Sequence, residues 1–425
     1  MNLLTAIFVS VIVAGVALRL WLGSRNIAYI RSRSDAVPEH FRDTLTLDAH
    51  QTAADYTVAK ERLAEANAML VAALWLVWTL GGGINAIDTT FSRIGPTPIV
   101  GSIVVVVVAV ALTALARLPI SLYAASVVDR RFGFAHASMW LMVADLAKKA
   151  LIGLAVLVPG GAVAVWLIGS GRADWWIWAW LLWTGATLIK HWLYPALVAP
   201  LFNRYTPLDD PSVADRLEAL AARAGLALAD TRVVDASRRT GHSNASFGGL
   251  GRAKRIVLTD TLIATLDSAE IEAVMAHEMG HFRRHHVQVY LAAMAAGRFL
   301  ALGAAAWLAG TPGFHTALGV TEATPHATLL LVGIVITACR PLARPFETAL
   351  LRRFEFEADQ FAARHSAPGA LARALIKLFR NNATSVTEDR LFSAFYQGHP
   401  PIAARLARIQ SVATAHGTGT ANAGS

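Results

Sequence analysis

Cysteine is almost absent from this 425-residue chain. The single Cys339 excludes a disulfide framework and any zinc cluster built on cysteine. Charge is scarce too: 16% of residues are Asp, Glu, Lys or Arg, where soluble domains run near 25%. With 55% hydrophobic residues and a mean hydropathy of +0.46, the deficit excludes a disordered protein and argues against an ordinary cytosolic enzyme. No internal repeat is visible. Basic residues lack the interleaved aromatic platforms of a nucleic-acid binder, so no nucleic-acid partner is expected. The net charge of +9 points instead to anionic lipid headgroups and cytoplasmic loops. Arg outnumbers Lys and Ala is abundant, as in products of GC-rich prokaryotic genomes.

Long apolar runs dominate what is present. A membrane-spanning helix needs about 20 mostly apolar residues. Seven stretches qualify: 2–22, 67–86, 98–116, 150–168, 175–198, 287–309 and 326–346. The first lacks a basic n-region and a convincing cleavage site, so it reads as an uncleaved anchor. The fifth is rich in tryptophan (Trp175, Trp176, Trp178, Trp180, Trp183), as an interfacial belt is. It also carries Lys190 and His191, which should face protein, water or headgroups rather than lipid tails. Loops after the first, third and fifth stretches are rich in Arg and Lys, and so is the C-terminal tail. The second loop has only Arg93, the fourth only Arg172, and the sixth none. That alternation predicts an integral, multi-pass membrane protein with the N-terminus outside and the C-terminus cytoplasmic. In a bacterium this would be the inner membrane.

The chain therefore divides into 1–198 (five spans), 199–286 (a cytoplasmic segment), 287–346 (two spans), 347–413 (a helical segment) and a small, polar, disordered tail, 414–425. Within 199–286 a helical stretch from Pro211 to Ala224 ends at Gly225. β-like runs follow at Thr231–Val234 and Arg255–Thr259, separated by a Gly/Ser/Asn-rich piece.

The strongest local signal is His277-Glu278-Met279-Gly280-His281. On a helix, positions i and i+4 share a face, so both imidazoles can bind one ion with Glu278 beside it. Asp267 and Ser268 can cap that helix, and Ile271, Val274 and Met275 supply apolar positions. A catalytic zinc needs a third protein ligand and an open position. His285 continues the face but lies about two turns, roughly 12 Å, from His277. With His286, Arg283 and Arg284 it reads as a basic patch at the membrane surface. The better candidate is Glu355 in Arg353-Phe354-Glu355-Phe356-Glu357-Ala358-Asp359, where Glu355 and Asp359 share a face. One carboxylate can bind metal while the other holds a ligand imidazole by its second nitrogen. Glu357 falls about 200° away, in a solvated position. By residue type alone, Arg405 is a surface cation and His399 a turn residue before two prolines.

These motifs, together with His242-Ser243-Asn244-Ala245 and the Leu391-Phe392-Ser393 to His399-Pro400-Pro401 stretch, resemble the CAAX prenyl endopeptidase type of integral-membrane zinc metalloprotease. The resemblance covers nearly the whole chain. It implies a mainly α fold, with seven transmembrane helices enclosing a water-filled chamber and a cytoplasmic-side, gluzincin-like protease domain that contains a small β element. It implies one Zn2+ per chain on His277, His281 and Glu355, with Glu278 as general base and Asp359 supporting a ligand histidine. Asn244 and Ala245 match an edge strand that pairs with extended substrate. His399 and Arg405 match groups that stabilise the oxyanion. The substrate it implies is a prenylated CAAX peptide or protein, met at the lipid surface. A bacterial source would favour cleavage of damaged membrane proteins instead. A transporter or channel with a structural zinc site is a further, non-enzymatic alternative. The oligomeric state is not legible.

Overall fold

The computed structural model describes residues 2–94, 97–249 and 254–421. Helices Leu3–Arg31, Pro98–Arg131, Met139–Gly169 and His286–Ala309 are long and apolar enough to cross a membrane. Two bent pairs qualify if each is taken as one span: Leu47–Trp78 with Gly83–Phe91 (57°) and Pro325–Ala338 with Arg340–His365 (54°). Four to six spans among the described residues thus stand against seven expected.

Each shortfall has a chemical cause. The second expected stretch, 67–86, is helical only to Trp78, turns through residues 79–82, and restarts as helix Gly83–Phe91 after Gly82 at a left-handed φ of 75°. The seventh, 326–346, breaks at Cys339, where the next helix opens with Arg340-Pro341. Pro341 has no amide to donate back across the junction. The fifth forms helix Trp175–Leu193 and then a π-turn, Tyr194–Val198. It is long enough, but its tryptophans are amphipathic rather than apolar.

Large apolar side chains lie open on these helices, among them Trp140, Leu151, Leu300 and Phe346, as a lipid-facing surface requires. Lys190 and His191 lie exposed, whereas Arg298 finds partners. Arg298 donates from Nη1 to Thr187 Oγ1 at 2.8 Å and lies over the Trp183 ring.

Segment 199–286 builds a four-stranded sheet in the order β1 (Tyr205–Pro207), β2 (Leu228–Val234), β4 (Lys254–Thr259), β3 (Ala245–Gly248). β2 and β4 run parallel and the two outer pairings are antiparallel. Alternation along β4 sends Ile256 and Leu258 into the core. There they meet Leu217 and Leu220 from helix Pro211–Arg223, and Ile271, Met275 and Met279 from helix Ser268–Arg283. Burying each such side chain contributes about 1.5–3 kcal/mol. Helices Arg340–His365 and Ala370–Asn381 close the same core through Ala362, Leu371 and Ala374.

The β-like runs foreseen at 231–234 and 255–259 fall inside β2 and β4, and Gly225 ends the preceding helix with a φ of 66°. The last helix spans Ile402–Ala421. It continues through 414–421, where a disordered tail was expected. The sequence there contains no proline to stop it, although Gly417 and Gly419 are poor helix formers. Residues 422–425 lie outside the described residues.

Candidate metal centre and active site

The helix carrying the His-Glu-x-x-His motif, Ser268–Arg283, starts with a capping box. The Asp267 side chain accepts from the Glu270 amide at 2.9 Å, and Glu270 Oε2 accepts from the Asp267 amide at 3.0 Å. Glu270 is fully buried and also takes Lys377 Nζ at 2.6 Å. Glu272 binds Arg216 at 3.3 Å and Arg223 at 2.5 Å. The acidic first turn thus anchors the motif helix to its neighbours as well as favouring helix.

Two turns on, Gly280 lets helix Arg340–His365 approach closely. A Cβ there would lie 3.0 Å from Phe361 Cβ and 3.1 Å from Ala358 Cα. This contact sets Glu355 against the two imidazoles. His277 Nε2 and His281 Nε2 are 3.1 Å apart. Glu355 Oε2 is 3.6 Å from the first and Glu355 Oε1 is 3.4 Å from the second. One ligand atom from each of the three residues lies within 4.8 Å of the others.

The donor set fits a metal. Glu355 Oε2 is buried without a well-aligned hydrogen bond, and two neutral imidazole nitrogens at 3.1 Å turn lone pairs toward one another unless a cation or proton intervenes. Two histidines and a glutamate form one of the ligand triplets of catalytic zinc sites.

Behind the triplet, His277 Nδ1 lies 2.9 Å from Asp359 Oδ1. Arg405 holds Asp359 with two parallel bonds, Nε to Oδ2 at 2.8 Å and Nη2 to Oδ1 at 2.7 Å. Arg405 is 4% exposed and Asp359 1%, so the residue-type reading of Arg405 as a surface cation does not hold. Its remaining nitrogen, Nη1, faces Glu355 Oε2 at 3.4 Å. Burial opposes the charge on His277, but the hydrogen bond and charge of Asp359 prevail and raise its pKa. Burial raises the pKa of Glu278, with His277 and His281 pulling the other way. That direction suits a carboxylate that must take up a proton.

His399 is brought to the site, with Nδ1 2.8 Å from Glu355 Oε2 and its side chain 72% exposed. The centre is therefore open to solvent on that side. Asn244 and Ala245 are placed less directly. Asn244 exchanges backbone and side-chain bonds with Thr259, and Ala245 pairs with Leu258 at the start of β3. β3 is terminal in the sheet, so its outer edge has no strand partner among the described residues. It packs on the motif helix through Phe247 and Phe282, whose rings meet edge-on at 5.2 Å.

Sequence reasoning missed two residues. His286 is buried at 3% exposure beside His281 rather than on a surface patch. Glu357 binds His286 instead of standing free in solvent. Nothing in their spacing signals this. The turn that brings His286 back beside His281 is made by His285, in the left-handed region at φ 55°.

A membrane-embedded helical fold with a two-histidine, one-glutamate centre beside a half-buried second glutamate defines a membrane metallopeptidase. Comparison with known proteins agrees. The family described as "CAAX prenyl protease N-terminal, five membrane helices" matches residues 26–204, and "Peptidase family M48" matches 207–413. The CAAX prenyl protease 1 homolog of Arabidopsis thaliana is 32% identical, over 69% of this chain and 69% of its own length. The Homo sapiens homolog is 28% identical over 79% and 78%, and CAAX prenyl protease 1 of Saccharomyces cerevisiae 29% over 71% and 70%. The crystal structure of S. mikatae Ste24p shares the fold at a TM-score of 0.87 and 24% identity, covering 96% of this chain and 99% of that one. The chain belongs to the M48 peptidase family, on its CAAX prenyl protease branch, and is a membrane metalloendopeptidase.

Proposed function

We propose that this protein is a zinc-dependent endopeptidase that cleaves near the C-terminus of prenylated proteins. The convergence of His277, His281 and Glu355 on one point carries the proposal. The relatives named as CAAX prenyl proteases supply the substrate class. One Zn2+ per chain would be held by those three side chains, supplying a Lewis acid that polarises the scissile carbonyl and acidifies water.

The protein's own groups do the rest. Glu278 takes the proton of the attacking water on its carboxylate and passes it to the leaving amine. Asp359 fixes the His277 ring so that Nε2 points into the site. Arg405 is largely committed to Asp359, so its part in stabilising the oxyanion rests on Nη1 alone. His399, exposed at the rim, is the more accessible donor to the same oxygen. Asn244 and Ala245 open an edge strand on which an extended peptide can add its own backbone bonds. We assign the site to the cytoplasmic side, with the N-terminus outside, on the loop charges. We retain seven helices around a hydrated chamber as the architecture, counting both bent pairs and the Trp-rich helix as spans.

The test uses the full chain in detergent, with a farnesylated CAAX peptide and its unprenylated twin, each with and without chelator. Chelator-sensitive cleavage of the prenylated peptide alone supports the reading. Equal cleavage of both removes the prenyl requirement. Glu278→Gln should keep its zinc, measured by plasma emission, and lose about 10²–10⁴ in turnover. Glu355→Ala should lose the zinc itself, and full occupancy in that variant would strike Glu355 from the ligand set.

A further inference from the structure

The two imidazoles of the motif are not supported alike. His277 turns its second nitrogen directly to a carboxylate, Asp359. His281 turns Nδ1 to another imidazole, with His286 Nδ1 at 3.0 Å. The other nitrogen of His286, Nε2, lies 3.2 Å from Glu357 Oε2. Glu357 Oε1 accepts from Arg353 Nε at 2.8 Å, and Arg284 Nη1 stands 3.8 Å from Oε2.

The polarity of this chain of contacts is forced from its outer end. A carboxylate flanked by two arginines only accepts, so His286 Nε2–H must donate to it. A neutral His286 then keeps a bare Nδ1, which accepts from His281 Nδ1–H. That leaves the lone pair of His281 on Nε2, the nitrogen that faces His277 and Glu355. The reverse polarity would place a proton on Nε2, where a metal has to bind.

We propose that His286 and Glu357 are positioning residues that fix His281 as a metal ligand through Nε2, a relay built beside the direct Asp359 contact. The inference rests on the reading of His281 as a ligand. The fold holds the relay in place at three points. The left-handed turn at His285 ends the motif helix, where a continuous helix would have carried His286 off the ligand face. The His286 ring stacks on Phe354 at 4.2 Å with 11° between planes. Phe354, Glu355 and Glu357 come from one stretch of helix Arg340–His365, so the element that supplies the third ligand also supplies the outer end of the relay and the ring that seats His286.

The full-length protein in detergent tests this by zinc affinity, measured in competition with a chelator, alongside the melting temperature of the metal-free protein. His286→Leu and Glu357→Ala should each weaken zinc binding about 10- to 100-fold. The metal-free melting temperature should move little, because the Glu357 side chain is partly exposed (22%) and leucine fills the histidine's space. His286→Gln should recover part of the affinity, because its amide oxygen can accept from His281 Nδ1–H. Wild-type affinity in both H286L and E357A overturns the relay. So does a loss that H286Q leaves unrecovered, or one matched by an equal fall in metal-free stability. His281→Ala is the control for the underlying reading: if it keeps full zinc affinity, the ligand assignment itself fails, whatever the relay variants do.

Discussion

At the scale of single residues, the centre depends on charges that are buried only because each has a partner. Arg405 and Asp359 are both within 4% of full burial and share two hydrogen bonds. Arg405→Ala would leave the buried Asp359 carboxylate with only its His277 contact, at a cost of about 3–5 kcal/mol. Arg405→Lys keeps the charge but cannot reproduce the two-pronged contact, so it should fall between wild type and alanine. Denaturant unfolding in detergent measures both, and an alanine variant as stable as wild type would show that His277 alone suffices to hold Asp359. The motif residues were legible because His277, Glu278 and His281 declare a metal by type and spacing, and Glu355 with Asp359 by their shared face. Arg405 was not, because an isolated arginine carries no local sign of burial; only the resemblance singled it out. Glu357 and His286 escaped the reading because a one-residue change of backbone hand at His285 redirects the chain beyond it.

At the scale of elements, the site is a contact between two helices that are distant in sequence. Its closeness is set by small residues: Gly280 on one side and Ala358 on the other, with no room for a Cβ at Gly280 without displacing backbone. Gly280→Ala should therefore destabilise the fold by about 1–3 kcal/mol, and it should also lower metal content, because separating the helices draws Glu355 away from both imidazoles. Unchanged zinc stoichiometry in a folded G280A would count against that coupling. His285 makes the opposite case. At φ 55° a glycine is less strained than histidine, so His285→Gly should melt no lower than wild type, whereas His285→Val should melt lower. Periodicity found the motif helix, β2 and β4, because alternation and capping are local. It overran the breaks at residues 79–82 and at Cys339, since apolar runs record burial or lipid contact and not the direction of the axis.

At the scale of the whole molecule, the membrane helices and the protease segments are tied together across the sequence. Asp389 caps helix Arg390–Tyr396 by accepting from the Leu391 and Phe392 amides, and it takes Arg25 Nε at 2.8 Å. Its own amide donates to Asn26 Oδ1, and Arg19 lies 4.7 Å over the Tyr396 ring. The first helix thus grips the segment that leads to His399. Burial works against the Asp389 carboxylate, but the Phe392 amide and Arg25 outweigh it and lower its pKa. A carboxyl group depressed on folding adds stability that is present above its unfolded pKa, near 3.9, and is lost as pH falls through the lower folded value. Asp389→Asn should therefore flatten the acid side of the stability curve, while Asp389→Ala should also forfeit about 1 kcal/mol of capping. Identical acid limbs in wild type and D389N would remove this carboxylate from the linkage. Metal removal should act on the same scale. An ion held by His277, His281 and Glu355 would tie the motif helix to helix Arg340–His365 only in the folded state, and would stabilise by about 2.7 kcal/mol when free zinc is a hundredfold above its dissociation constant. Chelator should lower the melting temperature of the wild type and of E278Q alike, since Glu278 is not among the proposed ligands. It should leave E355A unmoved. A chelator shift that E355A retained in full would mean that the ion joins other elements than these two.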